Sequence, residues 1–394
     1  MDFEHAKKEG LIHIVGREID EAYIKQILEL SLVSTTSARI TFSPLHAAGS
    51  TNVLPVLRAR GFNVEMVKEQ EKPDGSFPTA TSDLINPEYA EVMALATARG
   101  QEQNADLVIV SDPDADRMSV AIKKRLDSSE LSLLSGNEVG ALLTHFILSR
   151  FKEEKKLSPK KLVIKTYVTT SLISDIAKGF NVKIVDDLLV GFKYIGQVIE
   201  ALEDKNDFVF AAEESLGYLA GTFVRDKDAA IAGLLFAQMV SWLKDKHKSV
   251  PQYLDELYSE YGYYKNILYV SQMKGKQGFL KKKTIMQGLR ENPPKELAGA
   301  RVLKVIDRLP KEKRTLENYK VGATGDQITF VLGEDERTRV TVRPSGTEQI
   351  LKYYIQYYQQ AGENLAQTKK SADQKVTIIQ KEIIAYQDGG KLHA

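Results

Sequence analysis

The chain has 394 residues, 43% of them apolar and 27% charged, enough to bury more than one core and too mixed for a disordered polypeptide. Its 54 basic residues meet 53 acidic ones for a formal charge of +1, so no global field draws it toward nucleic acid or a membrane, and any anion it binds must be met locally. The absence of cysteine excludes disulfides, thiolate nucleophiles and Cys-type zinc sites and suits a cytoplasmic setting.

The N-terminus, Met-Asp-Phe-Glu-His-Ala-Lys-Lys, opens acidic and polar, and no later stretch approaches the apolar length of a membrane span. The reading is a protein neither exported nor membrane-bound. Beyond it, short β-branched runs alternate with longer segments of helical period, the signature of βαβ units. In a first block the pattern predicts a helix from Glu18 to Ser31, a strand from Arg39 to Phe42, a helix from Thr51 to Arg60, a strand from Asn63 to Val67, a helix from Asn86 to Gly100 and an apolar strand from Asp106 to Val110. A charged, hairpin-like stretch from Lys123 to Glu130 follows. The second block begins near Gly136, with strands expected at 162–166, 182–185 and 208–211 and a closing helix from Asp228 to Lys244. From about Gly262 the chain is richer in Lys and Tyr, with strands expected at 301–306, 327–332 and 339–342, which suggests an α+β region. The last glycines, Gly389 and Gly390, read as a frayed tail. The expected fold is α/β: two domains with mixed or parallel sheets at 18–134 and 135–260, then a C-terminal α+β domain at 261–394.

The sharpest motif is Asp112-Pro113-Asp114-Ala115-Asp116-Arg117, directly after the strand ending at Val110. That is the carboxyl end of a strand, where open α/β sheets bind ligands. Three carboxylates at alternate positions in a tight loop can aim their oxygens at one hard cation such as magnesium. An EF-hand also begins with alternating acids, but its sixth position needs Gly and its twelfth Glu, and here these are Arg117 and Lys123. The plain alternative is a polar surface turn. A second motif, Arg343-Pro344-Ser345-Gly346-Thr347-Glu348, offers a guanidinium fork, two hydroxyls and a glycine that lets backbone N–H groups approach an anion; the alternative is an ordinary turn capping a helix. A third, Ala212-Glu213-Glu214-Ser215-Leu216-Gly217, puts paired acceptors suited to sugar hydroxyls at the end of an apolar strand. Nearby, Gly191-Phe192-Lys193 opens a helix, and Arg225, Lys227 and Asp228 precede another. Lys193 and Lys227, taken alone, are ordinary surface charges.

Together these motifs resemble the α-D-phosphohexomutase family, the phosphoglucomutases and phosphomannomutases, across nearly the whole chain and in order. Pro44-Leu45-His46-Ala47-Ala48-Gly49, Pro78, Asn86-Pro87-Glu88 and Lys165-Thr166 add to the likeness. The resemblance implies magnesium on Asp112, Asp114 and Asp116, with Arg117 beside the reacting phosphoryl group. It implies sugar hydroxyls on Glu213 and Ser215, Lys193 on a sugar-binding loop led by Gly191, and Lys227 binding or protonating the substrate. Arg343, Ser345, Gly346 and Thr347 would grip the phosphate that is not reacting. Val190 and Gln349 are minor departures from the family pattern. The larger one is that none of the six histidines follows a serine, so the family's Ser-His-Asn-Pro phosphoserine motif does not occur. Residues 1–17 resemble the linker leading into the family's second domain, and the chain reads as domains two to four, a fragment or a split form whose N-terminal nucleophile domain is a separate partner. Ser111 is a weak substitute nucleophile, with no neighbouring His as base.

Three functions compete. The first is a phosphohexomutase interconverting hexose 1-phosphate and 6-phosphate through a bisphosphate, inactive as this chain alone. The second is a non-catalytic, magnesium-dependent sugar-phosphate binding protein. The third is a phosphatase with an aspartyl nucleophile in the Asp112 loop.

Overall fold

The structure, a computed structural model, describes residues 2–79, 85–309, 325–346 and 349–386. The chain forms two compact units. The first holds the described residues up to Leu133 together with Asp228–His247; the second holds Leu134–Lys227 and the described residues from Lys248 onward.

In the first unit a five-stranded sheet is built from β1 (Arg39–Ser43), β2 (Asn63–Met66), β3 (Leu107–Ser111), β4 (Met118–Lys123) and β5 (Leu131–Leu133), in the order β2-β1-β3-β4-β5. The first three are parallel and β4 and β5 antiparallel. Every residue of β3 is buried, as expected of a central strand covered on both faces. Alternation divides its side chains between two helices. Val108 and Val110 share a core with Met93 and Ala96 of the helix Ala90–Glu102. Ile109 faces the other way, against Gly233 of the helix Ala229–Asp245. That helix is apolar nearly all round and buried along its length, the pattern of a core helix rather than a surface one. The sequence order alone places it at the close of the second block; it packs instead on the first sheet and against Val53. Its two buried polar side chains are matched, since Gln238 Oε1 accepts from the Leu32 N–H and Ser241 Oγ from the Ala38 N–H.

The second unit contains two larger sheets. One joins β6 (Leu162–Thr166), β7 (Lys183–Leu188), β8 (Phe208–Glu213) and β9 (Gly217–Leu219) in the order β7-β6-β8-β9, parallel except for β9. The helix Gly136–Glu153 that covers it opens with a capping box, Ser135 and Glu138 each taking the other's backbone N–H. Its Gly140 lies against Ala212, Ile173 and Tyr218. After a two-stranded pair, β11 (Glu296–Leu297) with β12 (Ala300–Arg301), the other sheet is wholly antiparallel. Its strands are β10 (Tyr263–Gln272), β13 (Lys304–Asp307), β14 (Ile328–Val331), β15 (Arg339–Pro344) and β16 (Ile350–Gln359), ordered β10-β16-β15-β14-β13. The helices Gly275–Glu291 and Leu365–Ala385 supply Met286, Leu289, Ile379 and Ile383 to a core with Phe330, Val342 and Tyr353. The α/β class with a C-terminal α+β part is as the sequence predicts.

Candidate functional site

In the first unit the acidic loop leaves the carboxyl end of β3. Asp112 is buried and its carboxylate folds back on its own turn: Oδ1 accepts the N–H groups of Asp116 at 3.1 Å and Arg117 at 3.0 Å, and Oδ2 accepts Arg117 Nε at 2.8 Å. Ala115, at φ +56°, supplies the left-handed step that closes the turn. Asp116 Oδ1 lies 3.7 Å from the same Arg117 nitrogen, while Asp114 is exposed. Burial works against the Arg117 charge, but Asp112, Glu88 and Asp116 outweigh it and raise its pKa above the usual arginine value.

Two segments brace this loop. The Ala48 N–H donates to the Pro113 carbonyl and the Ala229 N–H to the Ala115 carbonyl. Gly49 is required by space, because a Cβ there would overlap Ser111 Oγ. Ser111 is fully buried and its hydroxyl has no hydrogen-bond partner among the described residues. A nucleophile needs access and a base, and this side chain has neither. Asp228, which the sequence marks only as leading into a helix, caps the helix Ala229–Asp245: Oδ1 accepts from Ala230 and Ile231 N–H, and Oδ2 from the Tyr23 hydroxyl at 2.7 Å. Burial raises its pKa, and the charge of Asp116 adds to the rise. The rule that Asp precedes a helix start identifies such a residue from sequence.

The donor set on this loop is hard oxygen throughout, which suits a divalent cation. In the structure, however, the charge facing Asp112 is Arg117, and among the described residues no three His, Asp or Glu side chains converge as a metal site.

In the second unit Glu213 ends β8, buried, with Oε1 accepting the Gly191 N–H at 2.8 Å. Gly191 adopts φ +133°, a conformation for which only glycine is suited, and N-caps the helix Phe192–Glu200 that carries Lys193. Lys227 lies over Gly217, where a Cβ would crowd the lysine chain and come into contact with Glu213. So Gly191, Glu213 and Lys227 are brought together. Burial, then repulsion from Glu214, pushes Glu213 up to about 7, against the Gly191 N–H and the Lys227 charge. Lys193 itself is exposed, 5.0 Å from the ring of Tyr194. Ser215 is half-buried on the turn after β8.

The motif that begins at Arg343 lies at the end of β15. Arg343 and Pro344 are half-buried, Ser345 is buried and Gly346 exposed. The Ser345 N–H donates to the Ile350 carbonyl, and Lys282 Nζ to the Ser345 carbonyl at 3.2 Å. Gln349, the family departure, takes the Gly275 N–H at the start of the helix Gly275–Glu291. Thr347 lies outside the described residues.

Sequence reasoning missed the polar bridge that ties β15 to the loop after β6. Arg339 Nε donates to Gln356 Oε1 and its NH2 to the Tyr167 carbonyl, while Gln356 Nε2 donates to the Thr169 carbonyl. The Thr169 and Thr166 hydroxyls both donate to Glu214, the neighbour of Glu213. A hydrogen-bonded path thus joins the strand of the Arg343 turn to the Glu214 carboxylate just after β8. Lys165, fully buried beneath it, donates to the carbonyls of Thr166 and Thr169.

Two family descriptions match this chain: phosphoglucomutase/phosphomannomutase alpha/beta/alpha domain II over residues 21–125, and domain III over residues 135–261. The chain belongs to the α-D-phosphohexomutase family. The phosphoglucomutase of Staphylococcus aureus strain N315 is 31% identical to it over 344 residues, 86% of this chain and 60% of that enzyme, and the strain Mu50 enzyme gives the same figures. Pp63/parafusin, a phosphoglucomutase of Paramecium solved in an open form, superposes with a TM-score of 0.62 at 16% identity, over 91% of this chain and 62% of that one. A phosphoglucomutase/phosphomannomutase family protein of Burkholderia thailandensis gives 0.62 at 12% identity, over 95% and 66%. These two likenesses show the shared fold. The chain spans 60% of the length of the S. aureus enzymes it matches.

Proposed function

We propose that the chain is the metal-, sugar- and phosphate-binding part of a phosphohexomutase that interconverts hexose 1-phosphate and 6-phosphate through a bisphosphate. The observation carrying this reading is the buried Glu213 carboxyl at the end of β8, held by the N–H of Gly191 and flanked by Lys227. A dry carboxyl beside a lysine suits sugar hydroxyls and the proton they exchange. In this reading Glu213 and Ser215 take hydroxyls, Gly191 and Lys193 form the sugar loop, and Lys227 binds or protonates the substrate. Arg343, Ser345, Gly346 and Thr347 hold the phosphate that is not reacting, and Arg117 neutralises the one that is. Magnesium, held by Asp112, Asp114 and Asp116, would supply positive charge to the transferring phosphoryl group. The domain division that goes with it is 18–134, 135–260 and 261–394, with residues 1–17 as linker.

Phosphoryl transfer also needs an attacking group in line with phosphorus, and a family phosphoserine domain supplied separately is the proposed source. The test is a glucose 1-phosphate isomerisation assay with magnesium and a trace of the bisphosphate, run on the chain alone and with an added family first domain. Turnover that requires the added domain supports the reading; silence in both overturns it.

A second reading, a magnesium-dependent sugar-phosphate binding protein without turnover, is favoured by the absence of a Ser-His-Asn-Pro motif from the sequence. Calorimetric binding of glucose 6-phosphate with no turnover under either assay condition is its expected outcome.

A further inference from the structure

The turn after β15 does not stand alone, because the helix Gly275–Glu291 is seated against it. Ile285, Met286 and Leu289 of that helix are buried in the core beneath the antiparallel sheet. Lys282 lies on the same stripe, three residues before Ile285 and four before Met286. The neighbouring lysines, Lys274, Lys276, Lys281 and Lys283, are exposed, whereas Lys282 is half-buried. An ammonium on an inward stripe needs an acceptor, and here that acceptor is backbone. Lys282 Nζ donates to the Ser345 carbonyl at 3.2 Å, and among the described residues no carboxylate pairs with it.

The start of the helix is fixed to the far end of the same turn. Gln349 accepts the Met273 N–H on its carbonyl and the Gly275 N–H on Oε1, both at 2.7 Å. Gly278 lets the first helical turn lie on the Met273 backbone, which a Cβ would overlap. One helix thus holds the turn at Ser345 and at Gln349.

Peptide geometry then sets the direction of the next donor. In a planar trans peptide the carbonyl and the following N–H point in opposite directions, so a Ser345 carbonyl held toward Lys282 turns the Gly346 N–H away from the helix. The Ser345 N–H is taken by the Ile350 carbonyl, which leaves the Gly346 N–H to meet an anion. Gly346 is exposed, with open space where a Cβ would stand, and backbone N–H groups so presented are anion donors.

We infer that Lys282 is a positioning residue of the phosphate turn: its ammonium fixes the Ser345–Gly346 peptide with the Gly346 N–H outward and adds positive charge to the turn. This rests on the reading of Arg343, Ser345, Gly346 and Thr347 as a phosphate site.

Calorimetry of the full chain with glucose 6-phosphate, on wild type, Arg343→Ala, Lys282→Met and Lys282→Arg, separates the two claims; the Gly346 amide is followed by NMR in protein made with isotope-labelled glycine. Lys282→Met keeps an unbranched apolar stem and removes the charge. It should weaken binding about tenfold and abolish the ligand-induced shift of the Gly346 resonance, and Lys282→Arg should restore both. Weaker binding in Arg343→Ala with none of that loss in Lys282→Met overturns the inference and leaves the phosphate turn standing. So does a Gly346 shift of wild-type size in Lys282→Met, or equal losses in Lys282→Met and Lys282→Arg. Wild-type affinity in Arg343→Ala overturns the reading of the turn itself, and the inference with it. If Lys282→Met does not fold, Gln349→Ala, which releases the other end of the helix, takes its place: weaker binding supports the inference and unchanged binding overturns it.

Discussion

A carboxyl at the end of β8 shows how one residue's surroundings set its chemistry. Glu213 has left water almost completely and has gained a single amide, that of Gly191, so burial outweighs the compensation and its pKa climbs to about 7. The sign follows from proton counting. Between the unfolded value of 4.5 and about 7 the folded chain holds a proton that the unfolded chain releases, so this residue's contribution falls as pH rises through that window. Glu213→Gln should flatten the dependence and raise stability at pH 7.5 relative to the wild type by roughly 3 kcal/mol at most, read as urea midpoints from pH 4.5 to 7.5; parallel curves for the two proteins would contradict it. Asp114 is the opposite case, exposed and without a hydrogen bond to its own loop. Asp114→Asn should leave the unfolding midpoint within about 0.5 kcal/mol of wild type and weaken magnesium about tenfold in calorimetry. Unchanged affinity would remove this residue from the metal reading.

At the scale of elements, what the sequence made legible were the strands that open on short apolar runs. Leu107 to Val110, Leu162 to Ile164 and Phe208 to Ala211 are buried on both faces, and such runs announce themselves. Tyr263–Gln272 and Ile350–Gln359 were harder, because they pair along ten residues with Lys, Asn and Gln among their tyrosines and each leaves several residues only partly buried. The helix Ala229–Asp245 is a different lesson. Its composition announces burial, but no local period says which sheet will cover it, since that choice rests on contacts such as Gly233 with Ile109, more than a hundred residues apart. Gly49 makes a sharp element-scale test. Gly49→Ala should destabilise the first unit by about 1–3 kcal/mol through overlap with Ser111 Oγ and contact with Phe42, and Ser111→Ala on that background should recover part of the loss. A neutral Gly49→Ala in thermal unfolding would show that the brace beneath the Asp112 loop is looser than described.

For the whole molecule, three short motifs carried the family assignment, and the matched domains II and III cover residues on both sides of Ser135. The motifs were legible because each is a run of special residues at a strand end. The supports behind them were not: Arg339, Gln356 and Thr169 are ordinary residues in sequence, and only the pairing of β15 with β16 and its approach to the loop after β6 make them a bridge. That bridge joins the strand of the Arg343 turn to Glu214 within one compact unit, which is why sugar and phosphate are proposed to be held by one rigid scaffold. Calorimetry with glucose 6-phosphate, comparing wild type with Glu213→Ala and Arg343→Ala, tests that claim most directly. The account predicts that each substitution weakens binding at least about tenfold, with both variants still folded; wild-type affinity in both would contradict it.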